Sequence, residues 1–213
     1  AVERHLQAVV ELALAIADAV SHAPANPAPL SAIEIAGYEA KKRPPVCTPY
    51  RAWRVCSMGP PSSGGIALLQ SLGMLENFDL ARMAPFSIEA IHLILEASRF
   101  AFADRDLYVA DPDHVPVPTE GLLSRPYLQA RAQLIDPTRS MGQALPGRPM
   151  GAPGDLAAES GPERGQSTTH LAVRDSDGNT VSMTATVERG FGSKLMAAGF
   201  ILNNELTDFS FLP

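Results

Sequence analysis

Thr168 and Thr169 stand side by side at the start of what reads as a β-strand, STTHLAVRD, directly after residues 136–166, which show no period of 2 or 3.6. A threonine hydroxyl is a poor nucleophile unless a base sits beside it. Breaking the peptide bond between Ser167 and Thr168 would supply that base, because the freed α-amine belongs to the same residue. Such chemistry asks for a nucleophile at a strand start, a leader that can be severed and then move away, and hydroxyl donors from a neighbouring strand. Residues 136–167, rich in Gly, Pro and Glu, could serve as the leader, since mobile stretches are where chains are cut. Thr186 lies 18 residues on, across the hairpin from Thr168 if the register is the simple one. The plain alternative stays open, with Thr168 an ordinary strand start and Thr186 a β-branched strand residue favoured on propensity.

A second cluster lies near the end. Asn203, Asn204, Glu205 and Asp208 put two carboxylates and two amides into a short loop after an apolar strand. The loop is either a solvated turn or a cradle for an ammonium group, which paired acids favour. Other constellations read more plainly. DSDGN at 175–179 alternates like the start of a calcium loop, yet such a loop needs Gly sixth and Glu twelfth. Here Gly178 is fourth and the twelfth residue is Thr186, so a hairpin turn is expected. PPSSGG at 60–65 lacks the Gly-x-Ser-x-Gly of a nucleophile elbow. Its serines are expected to cap a helix and its glycines to allow close backbone approach. The five histidines, His170 among them, sit at no metal-ligating interval, and neither a metal nor another cofactor is expected. Cys47 and Cys56 flank an expected hairpin turn at Arg51-Ala52 and would face each other; two free, half-buried thiols are expected over a disulfide.

The elements that must position these residues follow from patterning. AVERHLQAVVELALAIADAV is an amphipathic helix that begins mid-stride, as a trimmed or excised piece would. SAIEIAGYEA is a helical turn capped by Ser31, and PPVCTPYRAWRVCSM a hairpin. A helix carries Ile66, Leu69, Leu72 and Leu75. The longest helix runs from Ser87 to Asp106, with Ile91, Ile94, Leu95, Ser98 and Phe102 as the face expected to bury. SRPYLQARAQLI is another helix, and STTHLAVRD and NTVSMTATVE form a hairpin closed by DSDG. Helices and one hairpin first, strands later, point to an α/β (α+β) layered sandwich. With 213 residues, 46% hydrophobic and 19% charged, the chain can bury a core. A net charge of −6 argues against nucleic acid, and the one basic cluster, Lys41-Lys42-Arg43, reads as a solvated strand edge. No apolar run is long enough to span a bilayer.

With those residues in hand, the sequence resembles the γ-glutamyltranspeptidase family of the N-terminal nucleophile hydrolases. PPSSGGIALLQSLGMLENFDL, AFADRDLYVADPDHVPVP, TTHLAVRDSDGNTVSMTATVERGFGSKL and GFILNNELTDFS are similar to that family's segments, in its order. The resemblance implies a partial αββα sandwich spanning a subunit junction. Residues 1–167 would be the C-terminal part of a large-subunit-like region, with 135–167 a flexible leader, and residues 168–213 the start of a small-subunit-like region. It implies self-cleavage between Ser167 and Thr168, then catalysis by Thr168 with Thr186 hydrogen-bonded to it. The donor would be a γ-glutamyl compound such as glutathione, and the acceptor water or an amino acid. Glu205 and Asp208 match positions that hold the donor's α-amine.

Two departures qualify that resemblance. Glu188 stands where the family commonly has Asn, which adds a carboxylate near the donor site and fits relatives that cleave other amides, as cephalosporin acylases do. The family's later Ser-Ser pair, its Gly-Gly oxyanion donors and an upstream Arg have no match among these residues, so the chain by itself is expected to be inactive. The resemblance also implies a periplasmic or extracellular setting, and exposed sheet edges could pair two copies. An acylase acting on another amide, or a non-catalytic α/β scaffold, are the competing readings.

Overall fold

The computed structural model describes residues 2–154 and 168–205. The chain divides into two compact units: residues 42–160, and residues 1–41 together with 161–213. Among the described residues the strands form three separate two-stranded antiparallel ladders, set among helices, so the class is α+β as expected.

Residues 42–160 are built on three helices. α3 (Gly64–Leu75), α4 (Ile88–Tyr108) and α6 (Arg125–Ala132) enclose a core of Met74, Leu75, Leu93, Ala97, Phe100, Leu128 and Ile135. A short helix α5 (Thr119–Leu122) adds Leu122, which packs with Ile66 and Tyr108. Ser87 starts α4 by accepting the Ala90 N–H at 3.3 Å. Ser63 occupies the corresponding place before α3 but makes no side-chain cap; its hydroxyl accepts from Arg105 Nε at 3.0 Å instead. The close approach expected of the glycines is real at Gly65, where a Cβ would lie 2.0 Å from the Met58 carbonyl oxygen.

The buried face of α4 is not the one expected. Ile91, Ile94, Leu95 and Phe102 are 41–55% exposed, whereas Leu93, Ala97 and Ala101 are fully buried. The two faces are offset by about two residues, roughly 200° around a helix, and both are apolar. What decides between them is polar: Glu96 and Asp104 lie on the buried side, where hydropathy would not place a carboxylate.

Those two carboxylates change the reading of residues 136–154. Asp104 accepts from the Gly147 N–H (2.7 Å), Arg131 (3.1 Å), the Tyr127 hydroxyl (2.7 Å) and Gln70 (3.0 Å). Glu96 accepts from the Met141 N–H (2.9 Å) and the Ser140 hydroxyl (3.0 Å). The Arg131 guanidinium also donates to the Leu145 carbonyl at 2.8 Å. A segment without period, expected to be mobile, is instead pinned through its backbone by buried acids. Burial, then the hydrogen bond to Asp104, pushes the Tyr127 phenol well above its ordinary pKa.

A hairpin of β1 (Val46–Tyr50) and β2 (Trp53–Ser57) packs against α3, turning at Arg51-Ala52 as expected. Cys47 and Cys56 are register partners with Cα atoms 4.1 Å apart, and they form a disulfide rather than two free thiols. The reason is geometric: a two-residue turn sets the pair on one rung, within bonding reach. Lys41 to Arg43 precede β1 in irregular chain, and Arg43 bridges Asp111 (3.1 Å) and Asp113 (2.8 Å), so this is not a solvated strand edge.

In the other unit, α1 (Val2–Ser21) packs against α2 (Ala32–Ala36) and against β5 (Met196–Ala197), which pairs with β6 (Phe200–Ile201). Ser31 and Glu34 close α2 with a reciprocal capping box. β3 (Thr169–Arg174) and β4 (Thr180–Ala185) make the remaining hairpin, which carries the threonines.

Candidate active site

The β3–β4 hairpin owes its register to its turn. Asp175 Oδ1 accepts the backbone N–H of Asp177 (3.0 Å) and of Asn179 (2.8 Å), its Oδ2 accepts from Asn179 Nδ2 (2.8 Å), and Gly178 takes φ +90. These bonds, the Asn179 side chain first, hold the Asp175 carboxyl below its ordinary pKa. A carboxylate engaged this way closes a turn, as expected from the DSDG spacing.

From that turn the pairing runs Arg174↔Thr180 to Thr169↔Ala185. One rung further, Thr168 and Thr186 meet: Thr168 Oγ1 donates to Thr186 Oγ1 across 3.4 Å. Thr186 Oγ1 also accepts the Glu188 N–H at 2.9 Å. Glu188 holds φ +70, a left-handed conformation uncommon for a residue with a side chain, and is 2% exposed. The chain beyond Thr186 is tied to the loop that follows β6. The Asn204 N–H reaches the Val187 carbonyl (3.4 Å), and the Arg189 N–H reaches Asn204 Oδ1 (3.3 Å). Glu205 is half-buried there, its N–H donating to Asn203 Oδ1 at 3.0 Å.

The structure thus brings together Thr168 and Thr186 directly, and sets the segments of Glu188 and Glu205 side by side. Ser167 and Asp208 lie outside the described residues. His170 was legible only as one of five scattered histidines. It is in fact engaged by both ring nitrogens, Nδ1 with Thr184 Oγ1 (2.8 Å) and Nε2 with Ser182 Oγ (3.1 Å). The signal that could have found it is parity: residues 168 and 170 share one face of the hairpin with 182, 184 and 186 of the partner strand. Among the described residues no group of three or more His, Cys, Asp or Glu could hold a metal ion.

Helices mixed with antiparallel hairpins fit the fold of the N-terminal nucleophile hydrolases, and similar solved structures agree. The cephalosporin acylase from Bacillus halodurans matches 93% of this chain with 33% of its own, at a TM-score of 0.73 and 26% identity. The Helicobacter pylori γ-glutamyltranspeptidase matches 59% of this chain with 36% of its own, at a TM-score of 0.55 and 36% identity. The family model for γ-glutamyltranspeptidase covers residues 11–212, and the chain belongs to that family. Among curated relatives, the glutathione hydrolase proenzyme of Escherichia coli K12 is 40% identical over 84% of this chain, and the acylase ACY 1 proenzyme of Pseudomonas sp. SE83 is 33% identical over 87%. The chain spans about 30% of the length of these curated relatives.

Proposed function

We propose that these residues belong to a self-processing enzyme that transfers or hydrolyses γ-glutamyl groups from glutathione-like donors. Residues 1–167 would form the C-terminal part of its large subunit and residues 168–213 the start of its small one. The observation that carries the reading is the Thr168–Thr186 hydroxyl pair at 3.4 Å. In the precursor the Thr168 hydroxyl attacks the Ser167 carbonyl. The acyl group passes from nitrogen to oxygen, and water then hydrolyses the ester, leaving a Ser167 carboxylate and a free Thr168 α-amine. That amine takes the hydroxyl proton when Thr168 attacks the donor amide, and returns it to the departing amine. Water or an amino acid then accepts the γ-glutamyl group. Thr186, already receiving the Glu188 N–H, orients the nucleophile, and Glu205 with Asp208 offers negative charge to the donor's ammonium. The Cys47–Cys56 disulfide suits a protein that matures in an oxidising compartment.

A second reading keeps the nucleophile and changes the acyl group. Glu188 and the likeness to cephalosporin acylase favour an amide other than a γ-glutamyl one. Denaturing mass spectrometry of the protein at its full encoded length should show two pieces meeting at Ser167–Thr168, and one unbroken chain in Thr168→Ala. A wild-type chain that stays whole, or a variant that still cuts, removes the proposal. Turnover of a γ-glutamyl anilide over a glutaryl amide then selects the first reading, and the reverse order the second.

A further inference from the structure

We propose that His170 is a positioning residue for the Thr168 nucleophile, an inference that rests on the catalytic reading above. Thr168 immediately precedes β3 and His170 is two residues on, so both side chains leave the same face of the hairpin. Opposite them on β4 stand Ser182, Thr184 and Thr186. The imidazole spans two of these, with Nδ1 on the Thr184 hydroxyl at 2.8 Å and Nε2 on the Ser182 hydroxyl at 3.1 Å. Two rungs on, the next pair on the same face is Thr168–Thr186 itself, at 3.4 Å.

On the β4 side this end is held by the Glu188 N–H on Thr186 Oγ1 and by the Val187–Asn204 contact; on the β3 side the His170 ring supplies the side-chain bracket. Backbone pairing fixes the register but does not by itself fix the side-chain rotamers on this face, Thr168 among them. A rigid planar ring bonded to two hydroxyls of the partner strand restricts that freedom at the neighbouring same-face pair, two rungs from the reacting atom. Neutral imidazole offers one donor and one acceptor, and hydroxyls can serve as either, so both contacts hold in whichever tautomer is present. The two contacts are not equivalent for catalysis. Thr184 is the same-face neighbour of Thr186, whereas Ser182 lies two rungs further back.

The test uses three variants at full encoded length, read by the rate of cutting at Ser167–Thr168 and by kcat and KM for a γ-glutamyl anilide. His170→Phe keeps a flat ring and loses both hydrogen bonds. It is expected to slow self-cleavage and lower kcat by about 10- to 100-fold, the scale of a misplaced reacting group, with KM within about twofold. His170→Asn can still reach Thr184 and should recover most of the loss. His170→Gln, whose amide reaches towards Ser182, should recover little. Should the Phe variant fail to fold, Thr184→Val with Ser182→Ala removes the same bracket from the other strand and should show the same drop in kcat. A wild type that cuts beside a Phe variant that cuts equally fast overturns this inference alone. So does equal recovery by Asn and Gln, or a loss confined to KM. A wild type that never cuts removes the catalytic reading and this one with it.

Discussion

Glu188 combines three properties that rarely meet in one residue: a left-handed backbone, near-complete burial, and an N–H given to the Thr186 hydroxyl. A left-handed conformation costs a side-chain-bearing residue on the order of 1 kcal/mol, and such strain tends to persist where surrounding structure over-determines it. The backbone and the carboxylate can be separated by mutation. Asn tolerates the left-handed region, so Glu188→Asn should keep the N–H on Thr186 and cut itself at the wild-type rate. Its preference between γ-glutamyl and other acyl donors should nevertheless move by about tenfold, the weight of one charge-assisted contact. Glu188→Val puts a β-branched side chain where φ is positive and should slow cutting as well. If Asn slows self-cleavage as much as Val does, the carboxylate rather than the backbone supports Thr186. The Thr168–Thr186 pairing was readable in the sequence because DSDG fixes a register, and the register fixes every rung. Nothing in the string marks the φ of Glu188, which depends on how residues 187–189 are tied to Asn204 fifteen residues later.

At the level of elements, the informative misreading is α4. Periodicity located the helix and Ser87 its start, but two apolar faces compete and only the partners of Glu96 and Asp104 choose between them. A buried carboxylate looks out of place until the backbone N–H groups it serves are known, and those come from residues 140–147, a stretch with no pattern of its own. Burial alone would raise the Glu96 pKa. The hydrogen bonds from the Met141 N–H and the Ser140 hydroxyl, with Arg99 nearby, outweigh it and hold the carboxyl below its ordinary 4.5. A folded-state pKa below the unfolded one means that Glu96 stabilises the fold above the unfolded value. That contribution fades as pH falls through the lower, folded value. Urea unfolding of wild type and Glu96→Gln from neutral pH down to about pH 3 should therefore show a stability gap that is constant at first and closes on the acid side. Parallel curves at every pH would mean that the carboxylate does not hold the 140–141 segment in its charged form.

On the scale of the whole molecule, the division into two units decides how far a local perturbation travels. Element order was enough to indicate an α+β chain, and the resemblance of four segments, from PPSSGG to GFILNNELTDFS, indicated the family. The division was not legible, because one unit is assembled from both ends of the sequence and no linker composition marks it. The disulfide was not legible for a different reason: the turn at Arg51-Ala52 and the facing of Cys47 and Cys56 can be read from the pattern, but facing cysteines can be free or bonded, and the bond shows only in the structure. It lies wholly within residues 42–160, whereas Thr168 and Thr186 belong to the other unit. Closing so short a loop is worth about 2–3 kcal/mol in the chain-entropy account. Because β1 and β2 pack on α3, that loss should reach the three-helix core. Hydrogen exchange after reduction and alkylation should accordingly show lost protection in β1, β2 and α3, with the amides of β3 and β4 unchanged and cutting at Ser167–Thr168 still at its original rate. Protection lost equally in β3 and β4 would show that the two units open together, and any account of the threonine site would then have to include the hairpin that the disulfide closes.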